Sequence, residues 1–357
     1  MDSRSSAVQS SAWAIITLSI VLVLSSGLVH TAPLPTAEEL FQELQLSDSD
    51  RHSVREGKIV TWLSDEGSER ELALGLALLV KAKNENIVQL FRDATGLKKV
   101  PSIIAYGKIV GEGTLADFEK VKLVPNGEKE ARRYLEAEPG SDLNLSAKEI
   151  SGFRALKDAT KDGPVPIQKV EALIRESLLA RYQAYHSKGL VGIAPYARKG
   201  RSQTSVGEEL RIATNSSKLV AKYLPSVHNA LLNYPVIKFK EAEELEEQFF
   251  WILLEIYERP TYVLTHRLRF RIGEAAVVVD RHYYVSHDYN SLQQGVVALP
   301  TKDDLVVTYL SRVSADQVAG FGSSAKHHLA RNMMGPDLKD LLEALRAEAE
   351  KRKRDAH

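Results

Sequence analysis

Apolar positions along this chain change their period twice, from mixed, to helical, to alternating. Thr36-Ala37-Glu38-Glu39 has capping-box spacing, and Leu40, Phe41, Leu44 and Leu46 follow as a short apolar face, so a helix is predicted to begin there. A second brief helix is expected through SDSDRHSVREG, ending at Gly57. GKIVTWL then alternates before a turn-like SDEGSE. ELALGLALLVKA, residues 71–82, is apolar without a break; that length suits a strand or a helix, and Gly75 in mid-run favours the strand. NENIVQLFRDATG sets Ile87, Leu90 and Phe91 at helical spacing, with Gly96 as a stop. SIIAYGKIVGEGTLADFEKVKLV reads as two strands around Gly111 and Gly113.

Residues 145–258 read as a mostly helical block. Ser146-x-x-Glu149 opens ISGFRALKDA, and PIQKVEALIRESLLARYQAYHSKG carries one stripe through Val170, Leu173, Ile174, Leu178, Tyr182 and Tyr185. VGEELRIA, KLVAKYLPSVHNALLNYP and KEAEELEEQFFWILLEIYERP are assigned as helices too. Alternation then returns. In HRLRFRIG, Leu268, Phe270 and Ile272 take one face and Arg267, Arg269 and Arg271 the other, the pattern of a half-buried strand. EAAVVVDRHYYVSH and DLVVTYLSRV extend the sheet. After GFGSS a long C-terminal helix is expected, interrupted at Gly335-Pro336 and resumed with Leu338, Leu341, Leu342 and Leu345.

The first 32 residues stand apart. Polar MDSRSSAVQSS, with Arg4, precedes an uncharged apolar run over residues 12–29, the layout of a secretory signal peptide or of a single N-terminal membrane anchor. Either implies export, to the periplasm in a Gram-negative cell. The 47 basic residues balance 47 acidic ones, so no global field draws the chain to nucleic acid, and the basic tail 351–357 reads as a solvated terminus. No cysteine is present, which excludes thiol nucleophiles, cysteine-ligated zinc and disulfides.

DRHYYVSHDY, residues 280–289, concentrates two histidines, two aspartates and three tyrosines. On a strand, Asp280, His282, Tyr284 and Ser286 would face one way and Arg281, Tyr283, Val285 and His287 the other. That geometry parts the two histidines and argues against a shared metal. GEGTL lacks the lysine and spacing of a phosphate loop, and the paired histidines 327 and 328 would diverge on a helix. No cofactor is implied.

The run ELALGLALLVKA, NENIVQLFRDATG, SIIAYGKIV, closing with TYLSRV, GFGSS and a long final helix, resembles the layout of the helix-grip superfamily of START lipid-transfer domains and polyketide-cyclase-like proteins. The resemblance covers about residues 57–125 and 260–350. It implies an α+β fold in which a curved antiparallel sheet wraps the C-terminal helix around an apolar cavity, here interrupted by the helical block. The terminal leucines would then pack on Leu268, Phe270 and Ile272. VREGKIV, YYVSHDY and YLSR also resemble uncharacterised exported bacterial proteins, which supports export and supplies no mechanism. The expected organisation is short helices over 33–56, sheet halves over 57–144 and 259–350, and the block between them.

Three functions follow from that layout. The first is binding of a hydrophobic small molecule or lipid, with Arg281, Tyr284, His287 and Arg312 as the polar groups of the cavity. The second is a cyclase or hydrolase using His287 or His282 as general base. The third is an anchored scaffold whose helical block binds a protein partner.

Overall fold

The computed structural model describes residues 33–92, 102–160, 162–237 and 243–355. The apolar run at 12–29 and the Gly96 stop lie outside them. Helices α1 (Ala37–Glu43) and α2 (Asp48–Arg55) lead into strands β1 (Val60–Leu63) and β2 (Glu71–Val80), helix α3 (Asn84–Arg92) and strand β3 (Ile103–Ile109). Helices α4 (Gly127–Leu135), α5 (Ala147–Ala159) and α6 (Ile167–Lys188) follow. A two-residue pair, β4 (Tyr196–Ala197) with β5 (Gln203–Thr204), precedes α7 (Val206–Asn215), α8 (Lys218–Tyr223) and α9 (Pro225–Asn233). Five strands run in succession, β6 (Glu243–Ile256), β7 (Arg259–Ile272), β8 (Ala275–Val285), β9 (Ser291–Pro300) and β10 (Leu305–Ser314), before α10 (Ser323–Asp355).

The fold is α+β. Eight strands form one open antiparallel sheet in the order β1-β2-β10-β9-β8-β7-β6-β3. β2 pairs with β10 over ten residues and β3 with β6, so strands from before and after the helical segment share one sheet. Local sequence sets several boundaries as expected. Thr36 with Glu39, Ser47 with Asp50, and Ser146 with Glu149 each close a capping box. Gly57 ends the α2 region with φ +84°, a conformation open to glycine.

Helices cover both sheet faces. α3 and α10 lie on one, where Leu76, Leu78, Val80, Ala276, Val278, Val296, Leu305, Val307 and Tyr309 meet Leu342 and Ala349. α1 and α2 pack on the other face near β1 and β2, and α6 to α9 cover it across β6 to β9.

Six expectations are corrected. Within KEAEELEEQFFWILLEIYERP, residues 243–256 are not helical but form β6, paired with β7 along its length, and the last helix of the block ends at Asn233. Its Glu and Leu content favours helix locally, but as a strand it pairs with β7 along its length and with β3 over residues 249–254, and residues 249–253 are buried. SIIAYGKIVGEGTLADFEKVKLV holds one strand; Gly111 and Gly113, both at positive φ, turn the chain into a short 3-10 segment, Leu115–Phe118. The first sheet segment also contains α4, whose polar GEKEARRYL gave no apolar run to find.

Two of the three arginines on the polar face of β7 are not solvent-exposed; Arg271, near the strand's end, is. Arg267 and Arg269 are buried beneath α3, Arg267 paired with Asp280 at 2.6 Å and Arg269 with Glu246. Leu268 and Phe270 face Leu224, Val227 and Leu231 instead, so the leucines of α10 never meet them. Finally, α10 runs unbroken through Pro336 to Asp355, taking in the basic residues 351–354 as its last turn. One proline removes a single helical hydrogen bond, and packing on β2 and α3 on that face holds the helix together.

Candidate functional site

A pocket opens on the sheet face that the helical segment covers. Its floor is two cross-strand rows. The first runs Thr308–Val297–Val277 across β10, β9 and β8. The second runs Trp62–Gly75–Leu310–Gly295–Val279 across five strands. Two glycines in that second row remove side chains from the middle of the floor. The Trp62 ring lies over Gly75, where an added Cβ would collide with it. Gly295 stays uncovered: a Cβ there would meet nothing nearer than Val278 O at 3.8 Å. The roof comes from Val220 and Tyr223 of α8 and from Leu224, Val227 and Leu231, while Leu34, Leu40 and Leu44 form the rim at α1. The space that a water-sized sphere can occupy in it is about 100 Å³.

The next row of the same face is polar. Arg312, Gln293, Arg281 and His266 are register partners across β10, β9, β8 and β7, and all four are buried. Arg312 pairs with buried Glu71 at 3.1 Å and donates to Asp65 O, Ser64 Oγ and Ser216 O. Arg281 donates to Gln293 Oε1 at 2.7 Å and Leu231 O at 2.8 Å, and its Nη2 lies 3.1 Å from Thr214 Oγ1. His266 stacks on Phe249 and places Nδ1 2.9 Å from the Tyr185 hydroxyl and Nε2 3.4 Å from Glu247. Burial pushes the His266 pKa down and that of Tyr185 up, so both are neutral at pH 7.

The four residues singled out in the sequence do not converge. Arg312 lines the pocket and Arg281 lies directly behind Gln293, which also lines it. Tyr284 is in the core around α6, under the Arg181 guanidinium at 4.2 Å. His287 is enclosed at the far end of β8, with Nε2 2.9 Å from Thr261 Oγ1 and 3.1 Å from Pro260 O, and Nδ1 against Asp288. The strict alternation of DRHYYVSHDY fails at one residue. The β7–β8 register slips between Leu264 and Thr265, so Tyr283 is a bulge, and Tyr283 and Tyr284 enter the same apolar core. His282, whose Nδ1 lies 2.8 Å from the Tyr289 hydroxyl, points to the α3 face, and burial pushes its pKa down to about 4.

Sequence reasoning missed Trp62, Gln293 and Gly295. Only Gly295 left a signal, a lone glycine inside LQQGVVAL, where a strand gives up a side chain to make room. Among the described residues no three His, Asp or Glu side chains gather as a metal site, and no helix is long and apolar enough to cross a membrane.

Comparison with known protein families, curated proteins and solved structures finds no match to this chain.

Proposed function

We propose that the protein is exported and binds a hydrophobic small molecule or lipid in the pocket between the sheet and helices α8 and α9, without catalysing a reaction. The pocket carries the reading: a mostly apolar floor and roof with a few polar groups at one end is the usual form of a small-molecule site. No histidine or carboxylate is among its lining residues, so the general base that a cyclase or hydrolase needs has no candidate there. The scaffold reading has less to draw on, because the apolar residues of α6, α7 and α9 are spent on the sheet. Export rests on the apolar run at 12–29 behind Arg4.

One native mass spectrum of protein recovered from the cell envelope, followed by lipid extraction, tests both halves. The expected spectrum shows a co-purifying apolar ligand, and the polypeptide mass reads whether the N-terminal segment was cleaved. Gly295→Leu supplies the control. Its Cβ is accommodated and the rest of the side chain fills the pocket, so the variant should fold and lose the ligand. Ligand retained by Gly295→Leu places it elsewhere and removes the pocket from the function.

A further inference from the structure

We infer that the polar end of this pocket receives a carboxylate, making the ligand a monocarboxylic acid with an apolar tail. The inference rests on the reading of the pocket as a binding site and names the ligand class. Two residues that line the pocket each keep a buried N–H without an acceptor, Nε of Arg312 and Nε1 of Trp62. Buried donors are nearly always paired in folded proteins, so an orphaned pair beside one space points to what occupies that space. Gln293 adds a third donor. A guanidinium has no acceptor, so the carbonyl oxygen of Gln293 must be the atom facing Arg281, and its NH2 is what remains to offer the pocket.

Charge agrees with donor count. Arg281 and Arg312 lie in one buried row, and among the described residues Glu71 makes its ion pair with Arg312 through Oε2, its Oε1 being left without a donor. Among the described residues no carboxylate lies within ion-pair distance of Arg281, whose polar contacts include Gln293, Thr214, a backbone carbonyl and the Tyr185 hydroxyl. Glu71 and Glu247 are the carboxylates at this row, on Arg312 and His266, and neither reaches Arg281, which is left buried without a direct ion-pair partner. A carboxylate accepts hydrogen bonds and donates none, and it brings one negative charge to within a side chain of Arg281. The apolar rows through Val277 and Val279, under Leu224 and Val227, then take the tail.

Titration calorimetry on the full chain with three twelve-carbon probes, each below its micelle concentration, tests this. Dodecanoate should bind about tenfold or more tighter than methyl dodecanoate or dodecyltrimethylammonium, the margin expected of hydrogen bonds to a charged acceptor. Trp62→Phe, which keeps a ring over Gly75 and deletes the N–H, should weaken dodecanoate several-fold more than it weakens dodecyltrimethylammonium. Equal affinity for the acid and either comparator overturns the carboxylate assignment and leaves the pocket standing as an apolar site. Absence of binding by all three probes overturns the pocket reading itself, and the carboxylate with it.

Discussion

Glu209 on α7 and His282 on β8 are shifted by burial in opposite electrical senses. Burial pushes the Glu209 carboxyl up to about 7, although Asn290 Nδ2 at 2.9 Å and Ser291 Oγ at 3.0 Å both donate to it. Its folded pKa is raised, so its contribution to stability is complete below its ordinary value of 4.5 and is lost as pH rises through 7. His282 is held neutral, with its pKa lowered from 6.5 to about 4, so its contribution is present above pH 6.5 and is lost as pH falls through 4. Each shift is worth about 3 kcal/mol, and between pH 4.5 and 6.5 the two slopes oppose each other. Urea unfolding should therefore show that Glu209→Gln steepens the rise of stability with pH over that range by about 3 kcal/mol relative to the unmodified chain. His282→Asn should produce a fall of like size. Parallel profiles for variant and parent would mean that these groups titrate at their ordinary values. At this scale Arg281 and Arg312 are individually visible in the sequence, as charges inside apolar strands. That they share a row with Gln293 and His266 is not, because the row exists only once four strands have fixed their register.

Among the elements, periodicity located β7, β8, β10, α3 and α6, the mid-run Gly75 tipped the unbroken apolar run of β2 to a strand, and periodicity misassigned β6. The reason is physical: QFFWILLEI is apolar on both faces because α6 covers one face while the β3 edge and residues such as Val263 and Val285 enclose the other, and a strand buried twice has no alternation to read. Burial also inverted the reading of β7. Arg267 and Arg269 are enclosed rather than solvated, since Asp280 and Glu246 on neighbouring strands pair with them, while Arg271 stays exposed. The C-terminal helix was expected on the sheet and is there, on the face opposite to the one assigned. Removing residues 336–357 takes away Leu342 and Ala349, with the partly buried Leu338 and Leu345, and uncovers Leu76, Leu78 and Val307. At about 1.5–3 kcal/mol per large side chain fully buried, the loss is on the order of 5 kcal/mol, comparable with the stability of many domains. The truncated chain should be insoluble or should lose its cooperative thermal transition. A sharp melt near the parent temperature would make α10 an appendage.

For the whole molecule, the decisive fact is that β2 bonds to β10 and β3 bonds to β6. About 225 residues separate the first pair along the chain and about 140 the second, distances that carry a large loop-closure cost before any contact rewards it. Neither β1–β2 nor β3 can be satisfied without the strands that follow the helices, since a two-stranded fragment is marginal in water. The helical segment in turn has its apolar residues on the sheet: Tyr182 and Tyr185 of α6 meet Phe249 of β6, and Val227 and Leu231 of α9 meet Leu268 and Phe270 of β7. Sheet and helices therefore depend on each other, and the chain from residue 33 onward should unfold as one unit. Scanning calorimetry should give a calorimetric enthalpy equal to the van't Hoff enthalpy, and native-state hydrogen exchange should place the slowest amides of β2, β6 and β10 at the same free energy. A separately folded helical module would instead show as a second transition, with the α6 amides exchanging while those of β10 stay protected. The pocket makes the same argument testable through its occupant. Its lining draws on β1, on β8 to β10 and on α8 and α9, so dodecanoate held there should raise the single transition as a whole and leave no part of the sheet behind.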